Sequence, residues 1–278
     1  MRRPHLHPGF WLGLVLTLTV AGLAGLSLVW TPYDPVKLDI LSRLKPPSAL
    51  HWFGTDAFGR DVFSLVATGA RNSLATASAA VGLGLAFGLP SGLWAALQHG
   101  RLAEAGLMRA TDLAFAFPAI LTAAVIAANI GPGAGVVILA LGLFNAAVFA
   151  RVARGAALQV MGRPFVLAAR AMGRTPFDLA LRHVLPNIAA VLIVQATVQL
   201  AIAVLGEASL SYIGFGLQPP DPSLGRMLAE SQTRIAQAPY LAIFPGATIA
   251  LMVLGLNLLG DGLRDLLDPR LRMLRVQG

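Results

Sequence analysis

A few ionisable side chains lie inside long apolar stretches, and these are the residues of the sequence that could do chemistry. Glu207 is the main one, and Asp112 lies near the end of another apolar stretch. If the stretches span a membrane, each carboxylate is a functional candidate, because a charge in lipid is costly. Proton- or sodium-coupled transport usually uses more such groups near the membrane midplane. We therefore expect Glu207 to have a structural partner, a helix N-terminus or an arginine, and Asp112 to pair with Arg109 on one helix face.

Amide side chains form a second set of polar residues in the apolar stretches. Gln195 and Gln199 share a helix face, and Asn145 and Asn257 lie in two other stretches. They could line a polar pathway, or they could hydrogen-bond between helices, as amides in membrane helices commonly do. The sequence leaves both roles open.

The motifs of common hydrolytic and metal centres are missing from the sequence. It holds no G-x-x-x-x-G-K-[ST], no H-E-x-x-H and no G-x-S-x-G. It has no cysteine, and its five histidines lie at or outside the ends of the apolar stretches. We expect no ATP hydrolysis or other enzyme activity, no metal site and no cofactor in this chain.

Composition places the chain in the membrane. Of its 278 residues, 56% are hydrophobic and only 12% are charged, whereas soluble domains are about one quarter charged. The formal charge of +8 would suggest a nucleic-acid partner only if the basic residues formed a water-facing patch. They occur instead in short blocks between apolar runs, so no nucleic-acid binding is expected.

Six stretches are long enough to cross a bilayer, which takes about 20 apolar residues. The sequence therefore predicts an all-α integral membrane protein with six transmembrane helices. The first stretch could instead be a signal peptide, but it is long for one and ends in no clear A-x-A site, so we expect an uncleaved span. The predicted spans are residues 10–30, 74–97, 107–130, 136–153, 188–210 and 241–260.

Arginine and lysine set the predicted orientation, because they are enriched in cytoplasmic loops. With the N-terminus inside, fourteen of them lie on the cytoplasmic side and seven lie outside. This predicts cytoplasmic ends at 1–9 and 263–278, extracytoplasmic segments at 31–73 and 211–240, and a five-helix core over 74–262.

Small residues recur along the second predicted span. Gly84, Gly88 and Gly92 are four residues apart, a spacing that lets helix backbones approach closely in lipid. We expect them to pack against another helix, in this chain or in a sister subunit. Pro90 and Pro118 are expected to kink their spans.

The segment between the fourth and fifth predicted spans is basic and has the pattern of two short helices. Pro164 suits the first position of a helix, and Gly173 suits the left-handed residue after a helix end. Thr175, Pro176 and Asp178 then fit the N-cap, first and third positions of a second helix. The alternative is a solvated basic loop, but such loops rarely carry both caps.

The second short helix is expected to end near Val184, because Pro186 has no N–H and restricts the conformation of Leu185. A segment with this much order, 154–187, is predicted to dock against something on the cytoplasmic side.

This segment resembles the EAA loop of ABC importer permeases, whose pattern is E-A-A-x3-G-x9-I-x-L-P. Leu167 replaces the usual Glu, and His183 replaces the usual Ile, so the charged contact of that Glu is not expected here. The residues that the resemblance assigns to coupling with an ATPase are Leu167, Ala168, Ala169, Arg170, Gly173, Thr175, Pro176, Asp178, Leu185 and Pro186.

Four other segments resemble the C-type permease subunit of dipeptide, oligopeptide and nickel importers. They are residues 51–74, 109–118, 205–228 and 260–272. The resemblance implies the type I importer fold in a bacterial inner membrane, with a coupling helix that sits on an ATPase. It also implies a homologous second permease, two ATP-binding subunits that hold ATP and Mg²⁺, and an extracytoplasmic binding protein.

The transported solute is the point on which the sequence says least. Family frequency favours small peptides, with nickel or a metal chelate as the alternative. A secondary transporter or channel that works without ATPases is the alternative of another class. It would need embedded ion ligands or matching broken helices, which the sequence does not offer.

Overall fold

Long helices make up most of the chain in the computed structural model, which describes residues 8–267. Helix-favouring apolar residues and the absence of a strand-like alternation lead to this outcome, and the all-α fold is confirmed. The helices are α1 Pro8–Leu26, α2 Val62–Leu97, α3 Leu102–Ala116, α4 Ala119–Ile130, α5 Ala134–Met161, α6 Pro164–Ala171, α7 Pro176–Asp178, α8 Leu185–Tyr212, α9 Leu224–Ser231 and α10 Tyr240–Leu267.

Five helices of the described part are long and apolar enough to cross a membrane, and α3 with α4 makes a sixth crossing if the pair is one span. α7 continues into α8 without a gap, so residues 176–212 count as one of the five. Five of the six predicted spans are recovered as single helices, most of which extend beyond the predicted bounds. Of the cytoplasmic ends predicted at 1–9 and 263–278, residues 1–7 and 268–278 lie outside the described residues, and 8–9 and 263–267 belong to α1 and α10.

The third predicted span, 107–130, differs most from expectation because it is not one helix. α3 and α4 meet at an angle of 86° across Phe117 and Pro118. Phe117 is extended (ψ 118°), as a residue before proline tends to be, and Pro118 has no N–H to continue α3. Pro90, by contrast, lies within an uninterrupted α2.

Close helix contacts define the core. α1 runs antiparallel to α10, and the two backbones approach closely. A Cβ added at Gly255 would lie 2.9 Å from the Thr17 backbone nitrogen. α2 packs against α5 in the same close manner, and α8 contacts both α5 and α10. Small residues at these crossings allow the backbones to approach.

The bundle has two distinct ends. The α6–α7 end carries the α2–α3 turn, α6, α7 and the start of α8. The opposite end carries residues 27–61, the turn between α4 and α5, and residues 213–239. Gly133 N–H donates to Phe215 O (3.1 Å) and Tyr240 Oη donates to Lys45 O (3.0 Å), which joins these parts.

At the opposite end, α2 begins twelve residues earlier than the predicted span at 74. The Asp61 carboxylate caps the helix by accepting the Ser64 N–H at 2.8 Å, so residues 62–73 belong to α2 and not to the irregular segment. Residues 211–240 also contain a helix, α9, whose N-cap is Ser223. A search for long apolar stretches misses both the first turns of α2 and the helix α9, because polar helical turns have low hydropathy.

Candidate functional site

The first short helix of the basic segment, α6, ends in a Schellman motif. Gly173 has φ +83°, its N–H donates to Arg170 O (3.0 Å), and the Arg174 N–H donates to Ala169 O (3.3 Å). These two bonds satisfy carbonyls that would otherwise lack partners at the helix end. Pro164 occupies the first helical position, as predicted. The helix therefore stops at a defined residue.

The second short helix, α7, is capped as the sequence predicted. Thr175 Oγ1 accepts the Asp178 N–H at 3.2 Å, and Pro176 is the first helical residue. The Asp178 carboxylate accepts from Arg174 Nη1 (3.1 Å) and lies 2.7 Å from Arg182 Nε. One carboxylate thus links the turn before the helix to the turn after it.

The expected end of this helix near Val184 was wrong. Leu179–Val184 forms a π-helical turn, in which the Leu185 N–H donates to Ala180 O, five residues earlier. The wider turn accommodates Pro186, which has no N–H and would clash with a carbonyl of a regular α-helix. Pro186 therefore lies in the first turn of α8, and the segment continues into the span as one rod.

The surface of the segment is apolar and basic. Val166 and Ala169 face the protein, and so do Leu179, Ala180 and Val184. We call residues 163–182 the docking segment. Its most exposed large apolar side chains are Met172 (76% exposed), Phe177 (70%) and Leu167 (51%).

Glu207 is fully buried in α8. Its Oε1 accepts the Ser211 hydroxyl at 2.6 Å, one turn later on the same helix. Its Oε2 has no hydrogen-bond partner among the described residues. The expected arginine partner was wrong, because Glu207 forms no ion pair within residues 8–267 and is bonded to Ser211 instead. The first turn of α9 packs beside Glu207, since a Cβ at Gly225 would meet Ala208 O.

Asp112 pairs with Arg151 of α5, and not with Arg109 as expected. Arg109 is exposed, so the i,i+3 spacing that suggested the pair does not bring the two groups together. Arg151 Nε also donates to Thr111 Oγ1 at 3.1 Å. The contact joins two helices that are far apart in sequence.

The amide residues divide into one bonded pair and two separate residues. Gln199 Nε2 donates to Asn145 Oδ1 at 2.9 Å, with both side chains buried between α5 and α8. Gln195 is half-buried and Asn257 is exposed on α10. The geometry of the first pair is that of an interhelical hydrogen bond, and the four amides do not form one polar path.

The glycine repeat lies where α2 meets α5. A Cβ at Gly84 would be 2.3 Å from Asn145 Cβ, and one at Gly88 or Gly92 would be 2.5 or 2.3 Å from a backbone oxygen of α5. No side chain fits at these distances. The contact is therefore within this chain, which was one of the two predicted alternatives.

A comparison with protein families decides the identity of this arrangement. Residues 88–273 match the family described as the binding-protein-dependent transport system inner membrane component. The chain belongs to this family. It is an ABC importer permease subunit, and the family places it in the inner membrane of a bacterium.

Curated relatives cover almost the whole permease. The dipeptide transport system permease protein DppC of Alkalihalophilus pseudofirmus is 39% identical over 94% of this chain and 85% of its own length. A putative peptide permease protein of Brucella suis is 42% identical over 93% and 86%. The glutathione transport system permease protein GsiD of Escherichia coli is 40% identical over 98% and 88%.

A solved structure shares the permease fold. The inward-facing MetNI methionine ABC transporter superposes with a TM-score of 0.62, covering 74% of this chain and 98% of its own. At 22% identity the likeness concerns the fold alone. It confirms the type I importer fold that the resemblance implied.

Sequence reasoning missed a polar cluster at the α6–α7 end of this permease. Glu104 is buried and accepts hydrogen bonds from Gly100 N–H (2.7 Å), His99 Nδ1 (3.1 Å) and Arg154 Nε (2.6 Å). Glu104 lies between the predicted spans 74–97 and 107–130. The one available signal was an acidic residue in the first turn of a helix, which is typical of a structural role.

A cleft of about 270 Å³ opens at the opposite end of the permease, between residues 56–62 and α9. Arg60 Nε donates to Asp56 Oδ2 at 2.6 Å, and Arg60 Nη2 lies 3.6 Å from Glu230 Oε2. Arg234 also lines the cleft. The cleft combines these charged side chains with apolar ones such as Val62, Leu65 and Met227, and it lies between the two segments that were predicted to be extracytoplasmic.

Proposed function

We propose that the docking segment, residues 163–182, is the surface through which an ATP-binding subunit drives this permease. The observation that carries the proposal is the capped and continuous build of the segment. The Schellman motif at Gly173, the cap at Thr175 and the π-turn into α8 connect an exposed surface to a membrane span without a flexible joint. A push on the segment is therefore passed to α8.

The side chains of the docking segment indicate what kind of surface on the ATP-binding subunit would bind it. The segment's exposed side chains include the apolar ones named above and four arginines, at positions 163, 170, 174 and 182. Asp178 is the one acidic residue between positions 151 and 187, and it is engaged by Arg174 and Arg182. The complementary surface has an apolar floor and an acidic rim.

In the complex that we propose, this chain forms half of the translocation pathway. A homologous second permease supplies the other half, and two ATP-binding subunits hold ATP and Mg²⁺, since this chain has no phosphate-binding loop. The α6–α7 end faces the cytoplasm, in agreement with the arginine and lysine distribution. A binding protein then delivers the solute at the opposite end, where the cleft lined by Arg60, Glu230 and Arg234 lies.

Small peptides are the solute we propose. The relatives described above are named for dipeptide, peptide and glutathione transport. Nickel or a metal chelate was the alternative from the sequence, and these names favour peptide-like solutes over it.

Co-purification tests the docking segment. The tagged chain is extracted in mild detergent, and the recovered proteins are identified by mass spectrometry. Met172→Asp with Phe177→Asp should strongly reduce recovery of the ATP-binding subunit, because both changes place negative charge against the proposed acidic rim. Leu41→Asp is the matched control, since Leu41 is 92% exposed at the opposite end.

Equal recovery of the ATP-binding subunit with the double variant and with the control would overturn the docking role. Uptake of radiolabelled dialanine, glutathione and Ni²⁺ by cells that express the complex then tests the solute. Nickel uptake without peptide uptake would overturn the peptide assignment and leave the docking role intact.

A further inference from the structure

Helices α3 and α5 meet along a seam of specific side-chain contacts. At the α6–α7 end Arg154 contacts Glu104, and further along Arg151 contacts Thr111 and Asp112. Beyond these, the rings of Phe115 and Phe144 pack edge to face with centroids 5.3 Å apart. The helices are antiparallel, and residues at helical spacing on α3 each find a partner on α5.

Glu104 is the centre of this seam. Its carboxylate is acceptor-only when ionised, so the Nδ1 of His99, the Gly100 N–H and Arg154 all donate to it. The three donors come from the α2–α3 turn and from α5. One buried side chain therefore fastens the turn, α3 and α5 together.

The two ion pairs of the seam differ in strength. Glu104 is buried and its bonds are charge-assisted, and such bonds are about twice as strong as neutral ones. The Asp112–Arg151 pair is exposed, with 64% and 43% of the two side chains accessible, and exposed pairs contribute little. The rigidity of the seam at this end therefore depends on Glu104.

The position of the seam relates it to the docking segment. α5 ends at Met161 and α6 begins at Pro164, so Arg154 lies two turns before the segment on a continuous helix. A displacement of the docking segment acts on α5 directly. Whether α3 follows depends on the contact between α3 and α5.

We propose that Glu104 is a positioning residue that makes α3 and the end of α5 move as one body, so that displacement of the docking segment reaches α3 and its bend at Phe117 and Pro118. This inference rests on the proposed function, because it assumes that an ATP-binding subunit moves the docking segment. The contacts of Glu104, which we call the clasp, convert a displacement of α5 into a joint movement of α3 and α5. The clasp thereby gives the α2–α3 turn, which lies outside the docking segment, a role in transport.

Distance measurement between spin labels tests the clasp in the purified complex with its ATP-binding subunits. The chain has no cysteine, so Ala105→Cys on α3 and Gln159→Cys on α5 place two labels at exposed positions without background. Pulsed electron paramagnetic resonance compares the nucleotide-free complex with the complex trapped by ATP and vanadate. The label distance should stay constant to within about 1–2 Å, the size of ordinary helix shifts.

Glu104→Ala should make the label distance depend on the nucleotide state, because α3 no longer follows α5. Asp112→Ala is the matched control on the same two helices, and it should keep the distance constant. A residue that only supported folding would lower the yield or melting temperature without making the distance state-dependent. If Glu104→Ala does not assemble, the wild-type comparison still decides whether the two helices move together.

A wild-type label distance that shifts by more than about 2 Å between the two states would overturn the proposal. A constant distance in Glu104→Ala would also overturn it. Absence of any ATP-binding subunit from the purified complex would instead overturn the proposed function, and the clasp with it. Vanadate-sensitive ATP hydrolysis separates these cases, because it shows that the subunits are present and that the cycle runs.

Discussion

Glu207 and Gln199 each form a hydrogen bond with another side chain inside the bundle. The position of that partner indicates what each residue does. Gln199 donates to Asn145 on a neighbouring helix, and Glu207 accepts from Ser211 on its own helix. Buried polar groups need such partners, since an unpaired group in an apolar interior costs about 1–3 kcal/mol. Both residues thus have the geometry of packing elements, although the sequence left a pathway role open for Gln199.

Replacement of Glu207 tests the packing interpretation. Glu207→Gln keeps an oxygen for the Ser211 hydroxyl and should lower stability by no more than about 1 kcal/mol. Glu207→Ala removes the acceptor and leaves a cavity, so it should cost about 2 kcal/mol or more. Thermal unfolding in detergent measures both. The ratio of dialanine to glutathione uptake should stay unchanged, and a changed ratio in a fully assembled complex would contradict this role.

The helices show which features could be predicted from sequence. Apolar length located the five unbroken spans, and cap chemistry located the ends of α6 and the start of α7, because both signals are local. The break at Phe117, the π-turn before Pro186 and the early start of α2 at Asp61 were missed or placed wrongly. Each of these depends on backbone geometry that hydropathy does not measure. The Glu104–Arg154 contact joins residues 50 positions apart, which no local pattern encodes.

Gly173 is the element-scale test of the docking segment. Its φ of +83° is open to glycine and tolerable for asparagine, whereas proline is fixed near −65°. Gly173→Pro also removes the N–H that bonds Arg170 O, so it should abolish solute uptake while the protein stays in the membrane. Gly173→Asn is the control and should retain most uptake, since a Cβ here meets nothing within 4 Å. Normal uptake by the proline variant would refute the need for a defined helix end.

Gly88 tests the packing of α2 on α5. A Cβ there would lie 2.5 Å from Ala146 O, so Gly88→Leu must push two backbones apart. Overpacking costs about 1–3 kcal/mol where side chains can adjust, and backbone cannot. We expect loss of monodisperse protein on size-exclusion chromatography. Gly82→Leu is the matched control on the same helix, where a Cβ meets nothing within 4 Å, and it should behave as wild type.

At the scale of the whole molecule, the two ends of the bundle have different chemistry. The α6–α7 end presents a basic and apolar surface on capped helices, and the opposite end presents a cleft with both acidic and basic side chains and an irregular segment held by backbone hydrogen bonds. An importer needs this asymmetry, because its energy source and its solute arrive from opposite sides of the membrane. The proposed function therefore requires one orientation of the chain.

The orientation can be measured directly because the chain contains no cysteine. Leu41 and Leu102 are both 92% exposed and lie at opposite ends of the bundle, so single Leu41→Cys and Leu102→Cys variants form a matched pair. In right-side-out membrane vesicles, a membrane-impermeant maleimide should label the cysteine at position 41. It should label the one at position 102 only after permeabilisation, because Arg101 and the basic docking segment are expected on the cytoplasmic side. The reverse pattern would place the docking segment outside, beyond the reach of any ATP-binding subunit.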